Sequence, residues 1–183
     1  MEVAALVVSG LATVVAAIGT LMANRRANEA LSVSREAVTM ALWSAVQEAV
    51  QHLIGFDPTI EPVGDRLTNL RITMIDLADH YTDWEGLDRW LEAERMLGAT
   101  LARQVMDAAK PDDSAERRLE NLDPLLRWAQ AFSQNLRRFR AKGYDKQVLV
   151  ELERHAGTTT KDIRAHHGWE GPAATNPHIS PLD

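Results

Sequence analysis

The feature that most constrains this chain is a run of 21 residues without a charge, Val3 to Ala23, reading VAALVVSGLATVVAAIGTLMA. As an α-helix it would be roughly 31 Å long, about the hydrocarbon thickness of a bilayer. Its only hydroxyl side chains are Ser9, Thr13 and Thr20, which can bond back to the preceding helical turn. A secretory signal would need a positive leading region and a small-x-small cleavage site. Here only Glu2 is charged ahead of the run, and it ends Leu21-Met22-Ala23. The expectation is a single transmembrane helix over residues 3–23.

Arg25 and Arg26 follow the run directly. The positive-inside rule then places the amino terminus outside and the carboxyl-terminal bulk in the cytoplasm of the cell membrane. Within the run Ala5, Ser9, Thr13 and Ala17 recur every fourth residue, a small-residue stripe of the kind that lets helices approach closely.

Past the arginines the pattern stays helical, so the fold class expected is all-α. Residues 24–54 read as a juxtamembrane helix continuing from the span, with Leu31, Val38, Leu42, Ala45, Ala49 and Leu53 at helical spacing. Gly55-Phe56-Asp57-Pro58, then Pro62 and Gly64, break it. Residues 57–157 are expected to form a small antiparallel helical bundle. Its first helix, from about Asp65 to Tyr81, carries the 4-3-4-3-4 seam Val63, Leu67, Leu70, Met74, Leu77, Tyr81. A second, from about Trp84 to Ala109, has Asp83 as a candidate cap and the stripe Leu87, Trp90, Leu97, Leu101, Val105 and Ala108. Ser114 should cap a short piece with Leu119 and Leu122. Asp123-Pro124 then signals a new start, leading into Leu125, Trp128, Phe132, Leu136 and Phe139 and ending at Gly143. A last helix should run from about Tyr144 to Ala156, with Val148, Leu149 and Leu152 as its apolar positions, and close at Gly157. The triple threonine and the prolines and glycines after it predict a disordered tail over 158–183.

The chain has no cysteine, which excludes disulfides, zinc–thiolate sites, iron–sulfur clusters and a cysteine nucleophile. The formal charge is −6, the wrong sign for a dedicated nucleic-acid binder. Dinucleotide and phosphate loops, the Gly-x-Ser-x-Gly elbow, His-Glu-x-x-His and the Glu-x-x-His pairs of di-iron bundles do not occur. No cofactor is expected.

Three constellations remain. Asp76, Asp79, His80 and Asp83 share one helical face, where they could hold a divalent metal or run acid–base chemistry; the plainer reading is a solvated face opposite the apolar seam. His155, His166, His167 and His178 are weak metal candidates near the carboxyl terminus, more simply surface histidines. Residues 124–142 carry Arg127, Arg137, Arg138, Arg140 and Lys142 with no acid, whereas residues 57–94 carry ten acids against Arg66, Arg71 and Arg89. The favoured expectation is that the basic helix pairs with the acidic ones inside the bundle. Contact with an anionic leaflet comes second, and nucleic acid third.

The layout of an apolar span followed by Asn24-Arg25-Arg26-Ala27-Asn28-Glu29-Ala30-Leu31 resembles bacterial single-pass membrane proteins with a cytoplasmic helical region, and sixteen arginines against four lysines fit a GC-rich genome. That layout implies no site residue. The function expected is a non-enzymatic interaction or scaffold module, partnered by the lipid bilayer and by another protein or a second copy. The alternatives are a metal-dependent hydrolase working through the acidic/histidine face, and a small membrane-active effector of toxin or holin type.

Overall fold

A computed structural model describes residues 29–58, 61 and 63–169. Among them are five helices and no strand: α1 over residues 29–54, α2 Gly64–His80, α3 Leu87–Ala108, α4 Ala115–Lys142 and α5 Lys146–His167. The chain divides into two compact units, Met1–Ala41 and Leu42–Asp183. In the first, residues 29–41 are helical and solvent-exposed, with Leu31, Val33 and Val38 uncovered.

The second unit is an all-helical bundle. Its centre is α3, which packs against α2, α4 and α5. The apolar seam expected of α2 is the one that is buried: Leu70, Met74 and Leu77 are enclosed, with Val63 ahead of them. On α3 the stripe of Leu87, Trp90, Leu97, Leu101 and Val105 is buried as well, whereas Ala108, at the last residue of the helix where it runs out of the core, is exposed. The α4 face of Leu125, Trp128, Phe132, Leu136 and Phe139 lies in the same core.

Four boundaries differ from the sequence expectation. The bundle begins at Leu42 and not at residue 57. Trp43, Val46, Ala49, Val50 and Leu53 of α1 are all buried in its core. The Trp43 indole donates to the Tyr81 hydroxyl at 2.9 Å. Arg66 joins the end of α1 to the start of α2, donating to the His52 carbonyl and, at 2.6 Å, to Glu61. Arg66 thereby ties α1 to α2 across the break.

Asp83 does not cap α3. The turn runs on to Gly86, whose φ of 89° lies in the left-handed region and whose carbonyl accepts from Trp90 N–H at 3.0 Å. A residue with a Cβ would be strained there. The extra residues place Trp84 among Trp43, Tyr81 and Tyr144, with ring centroids 4.5–6.0 Å apart.

Asp123-Pro124 does not start a helix. Ser114 caps α4, accepting from Arg117 N–H at 3.2 Å, and the helix runs through Pro124. An interior proline lacks a donor and crowds the carbonyl four residues back, at a cost of about 3 kcal/mol. The apolar stripe on either side of it, from half-buried Leu122 to buried Leu125 and Trp128, holds the helix together. Asp123 pairs instead with Arg127 one turn on.

Gly157 does not close α5, and residues 158–167 are not tail. The stripe continues through Leu149, Leu152, Ala156, Thr160 and Ile163. Thr160 is only 4% exposed, and its hydroxyl donates to the Ala156 carbonyl at 2.8 Å. A buried threonine satisfied inside its own helix behaves as a small core residue. The small side chains of Ala156 and Thr160 suit a close approach to α3. Asp145 caps α5, accepting from Val148 N–H at 3.2 Å, and Gly168 ends the helix. Gly143 ends α4 as expected.

No helix among the described residues is long and apolar enough to cross a membrane. The charge-free run Val3–Ala23, Arg25 and Arg26 lie outside the described residues, as does the tail beyond Trp169.

Candidate functional site

The chemically distinctive group of the bundle is one that sequence reasoning missed. Glu94 sits on α3 inside the apolar stripe, one turn after Trp90, and is 6% exposed. Its two oxygens have separate donors. Oε1 accepts from the Trp90 indole at 3.1 Å, and Oε2 from the Trp128 indole of α4 at 2.8 Å. Around them Trp128 stacks on Phe132 with centroids 5.7 Å apart, and Trp90 meets Phe132 and Phe139 at 5.5 and 5.0 Å. The local medium is thus aromatic and dry.

A carboxylate taken out of water resists ionisation. Burial pushes Glu94 up to about 7, against the pull of hydrogen bonds from Trp128 and Trp90, which favour the charged form. The group is therefore poised between its charged and neutral states close to neutral pH. Each oxygen accepts one indole N–H, so a change of protonation at Glu94 would alter the contact that joins α3 to α4.

The helices can meet this closely because residue 98 is glycine. A Cβ at Gly98 would lie 2.5 Å from the Trp128 ring, inside any permitted contact. Sequence reasoning had one clue to the site: the α3 stripe jumps from Trp90 to Leu97 and skips the intervening turn, where Glu94 stands.

Asp76, Asp79, His80 and Asp83 are all exposed on the outer side of α2 and the turn after it. Among the described residues no group of three or more His, Asp or Glu side chains is placed to hold a metal ion. His155, His166 and His167 lie exposed on α5. His167 stacks on Trp169 at 4.4 Å, and the Arg103 guanidinium lies 4.3 Å from the same indole. Trp169 thereby fastens the end of α5 to α3. His178 lies outside the described residues.

The basic helix behaves differently from the favoured expectation of pairing inside the bundle. Arg127 pairs with Asp123 of its own helix at 2.9 Å. Arg137, Arg138, Arg140 and Lys142 are exposed and make no ion pair among the described residues. The acidic segment finds other partners: Glu61 with Arg66, Glu92 with Arg95, and Glu85 with Lys146 at 2.6 Å. That last contact holds Glu85 below the usual carboxylate range and raises Lys146. The reason is geometric. The stripe of Leu125, Trp128, Phe132, Leu136 and Phe139 fixes the inward face of α4, and the cations occupy the remaining arc.

No family model, curated protein or solved structure matches the chain.

Proposed function

We propose that the chain is a non-enzymatic, membrane-anchored interaction module. Residues 3–23 span the bilayer, Arg25 and Arg26 retain the following chain in the cytoplasm, and the bundle from Leu42 onward engages a protein partner or a second copy. The observation that carries this reading is the 21-residue charge-free run bounded by two arginines. The character of the bundle supports it: the buried carboxyl of Glu94 is closed off by two indoles inside the core.

The test is extraction and topology on the full chain. The protein should remain with membranes after alkaline carbonate washing and be released by detergent. A fluorescent protein fused after Asp183 should fluoresce, and an alkaline phosphatase fused there should be inactive. Release by carbonate would end the anchor reading, and an active phosphatase would reverse the orientation.

A further inference from the structure

We propose that the outward face of α4 near its carboxyl-terminal end, formed by Arg137, Arg138, Arg140 and Lys142, docks on anionic lipid headgroups. Between Pro124 and Lys142 there are five cations and no acid. All four residues of this face are exposed and have no ion pair among the described residues. Elsewhere Arg66, Arg89, Arg95, Arg103, Arg117, Arg127 and Lys146 each have a carboxylate within 4.0 Å, and cations without one, such as Arg35, Lys110 and Arg154, do not stand in a cluster like that of residues 137–142.

Helix polarity accounts for part of the pattern. Arg140 and Lys142 stand in the last turn, where cations complement the negative helix end. Arg137 and Arg138 lie further back, and the dipole falls off within a turn. Asp145, the first acid after the run, caps α5. Arg137 and Arg138 are thus left without a local role, and together with Arg140 and Lys142 they can attract an external anion.

The character of the face selects the occupant. Gln134 and Ala141 separate the cations, and no aromatic or large aliphatic side chain is interleaved with them. Single-stranded nucleic acid is usually gripped by stacked aromatics, and a protein partner by buried apolar anchors. A charged face without either fits a diffuse sheet of anionic headgroups, met at the surface without insertion. Such contact is electrostatic and weakens with salt. This docking needs α4 alone and is independent of the anchor.

The absence of cysteine allows a clean test on the full chain. Ala141→Cys is labelled with an environment-sensitive fluorophore, and Asp79→Cys serves as a control on α2. Each is mixed with vesicles of phosphatidylcholine alone or of phosphatidylcholine with phosphatidylglycerol. The label at position 141 should be shielded from an aqueous quencher only with the anionic vesicles, and salt should reverse the shielding. Replacing Arg137, Arg138, Arg140 and Lys142 together by Gln should lower the shielded fraction at least roughly tenfold. These are surface positions, so circular dichroism should be unchanged. Equal accessibility with both vesicles overturns the proposal, as does shielding that survives the fourfold change. Shielding without lipid that grows with protein concentration assigns the face to a second copy, and preferential protection by duplex DNA assigns it to nucleic acid; either overturns it. Flotation with phosphatidylcholine vesicles reports the anchor separately. A chain that floats while position 141 stays exposed keeps the anchor and loses the docking face. A chain that binds only anionic vesicles, with position 141 shielded, does the reverse.

Discussion

Glu94 and Trp128 are 34 residues apart in sequence and 2.8 Å apart in space, and their hydrogen bond crosses from α3 to α4 inside the core. A carboxyl in that position couples proton uptake to folding. In the unfolded chain it releases its proton near 4.5, whereas in the folded chain it holds it up to about 7. Between those values the folded state binds more protons than the unfolded one. This group's contribution to stability therefore falls as pH rises through that window, by about 3 kcal/mol in all, and is level above it.

Glu94→Gln removes the titration and keeps the shape. The wild-type curve of unfolding free energy against pH, minus that of the variant, should slope downward from about pH 5 to pH 7 and then flatten. At pH 8 the variant should be the more stable by about 1–2 kcal/mol, after a loss of about 1 kcal/mol for one indole left without a good acceptor. Urea titrations across the pH range measure both. A difference curve that is flat throughout would mean Glu94 ionises normally in the fold.

Gly98→Ala should be disproportionately harmful for a single methyl. In most helix interiors that change is favourable by about 1 kcal/mol. Here the new Cβ meets the Trp128 ring at 2.5 Å, so α3 and α4 must part or the indole must turn. We expect a net loss of about 1–3 kcal/mol, with a change in near-ultraviolet circular dichroism. A stabilised variant would show that α4 can shift freely.

Truncation tests the two ends of the bundle. A fragment over residues 57–157 lacks Trp43, Val46, Val50 and Leu53 at one end and Thr160 and Ile163 at the other. It should lose cooperative melting, whereas a fragment over residues 42–169 should keep it. Equal cooperativity in the two would restore the shorter bundle.

What could be read from the sequence was what burial alone controls. The α2 seam and the α3 and α4 stripes follow the helical period because each helix has one inward side, and that side must be apolar. Interactions between distant residues left a fainter mark. Glu94 looks like an ordinary polar position until Trp90 and Trp128 are seen to supply its donors. Pro124 and Gly157 carry local signals for ends, and packing against the core overrides both. Thr160 reads as tail because its polarity is cancelled only inside a helix. The α4 cations have a sign that sequence shows and a direction that it does not, since direction depends on which face the stripe turns inward.

The central place of α3 has a kinetic corollary. Every other helix of the bundle that packs on it must detach before its backbone meets solvent. Amide protons in the middle of α3 should therefore exchange only through global opening, while those of the exposed residues 29–38 exchange through local opening. The protection of that one helix would then report the stability of the whole bundle.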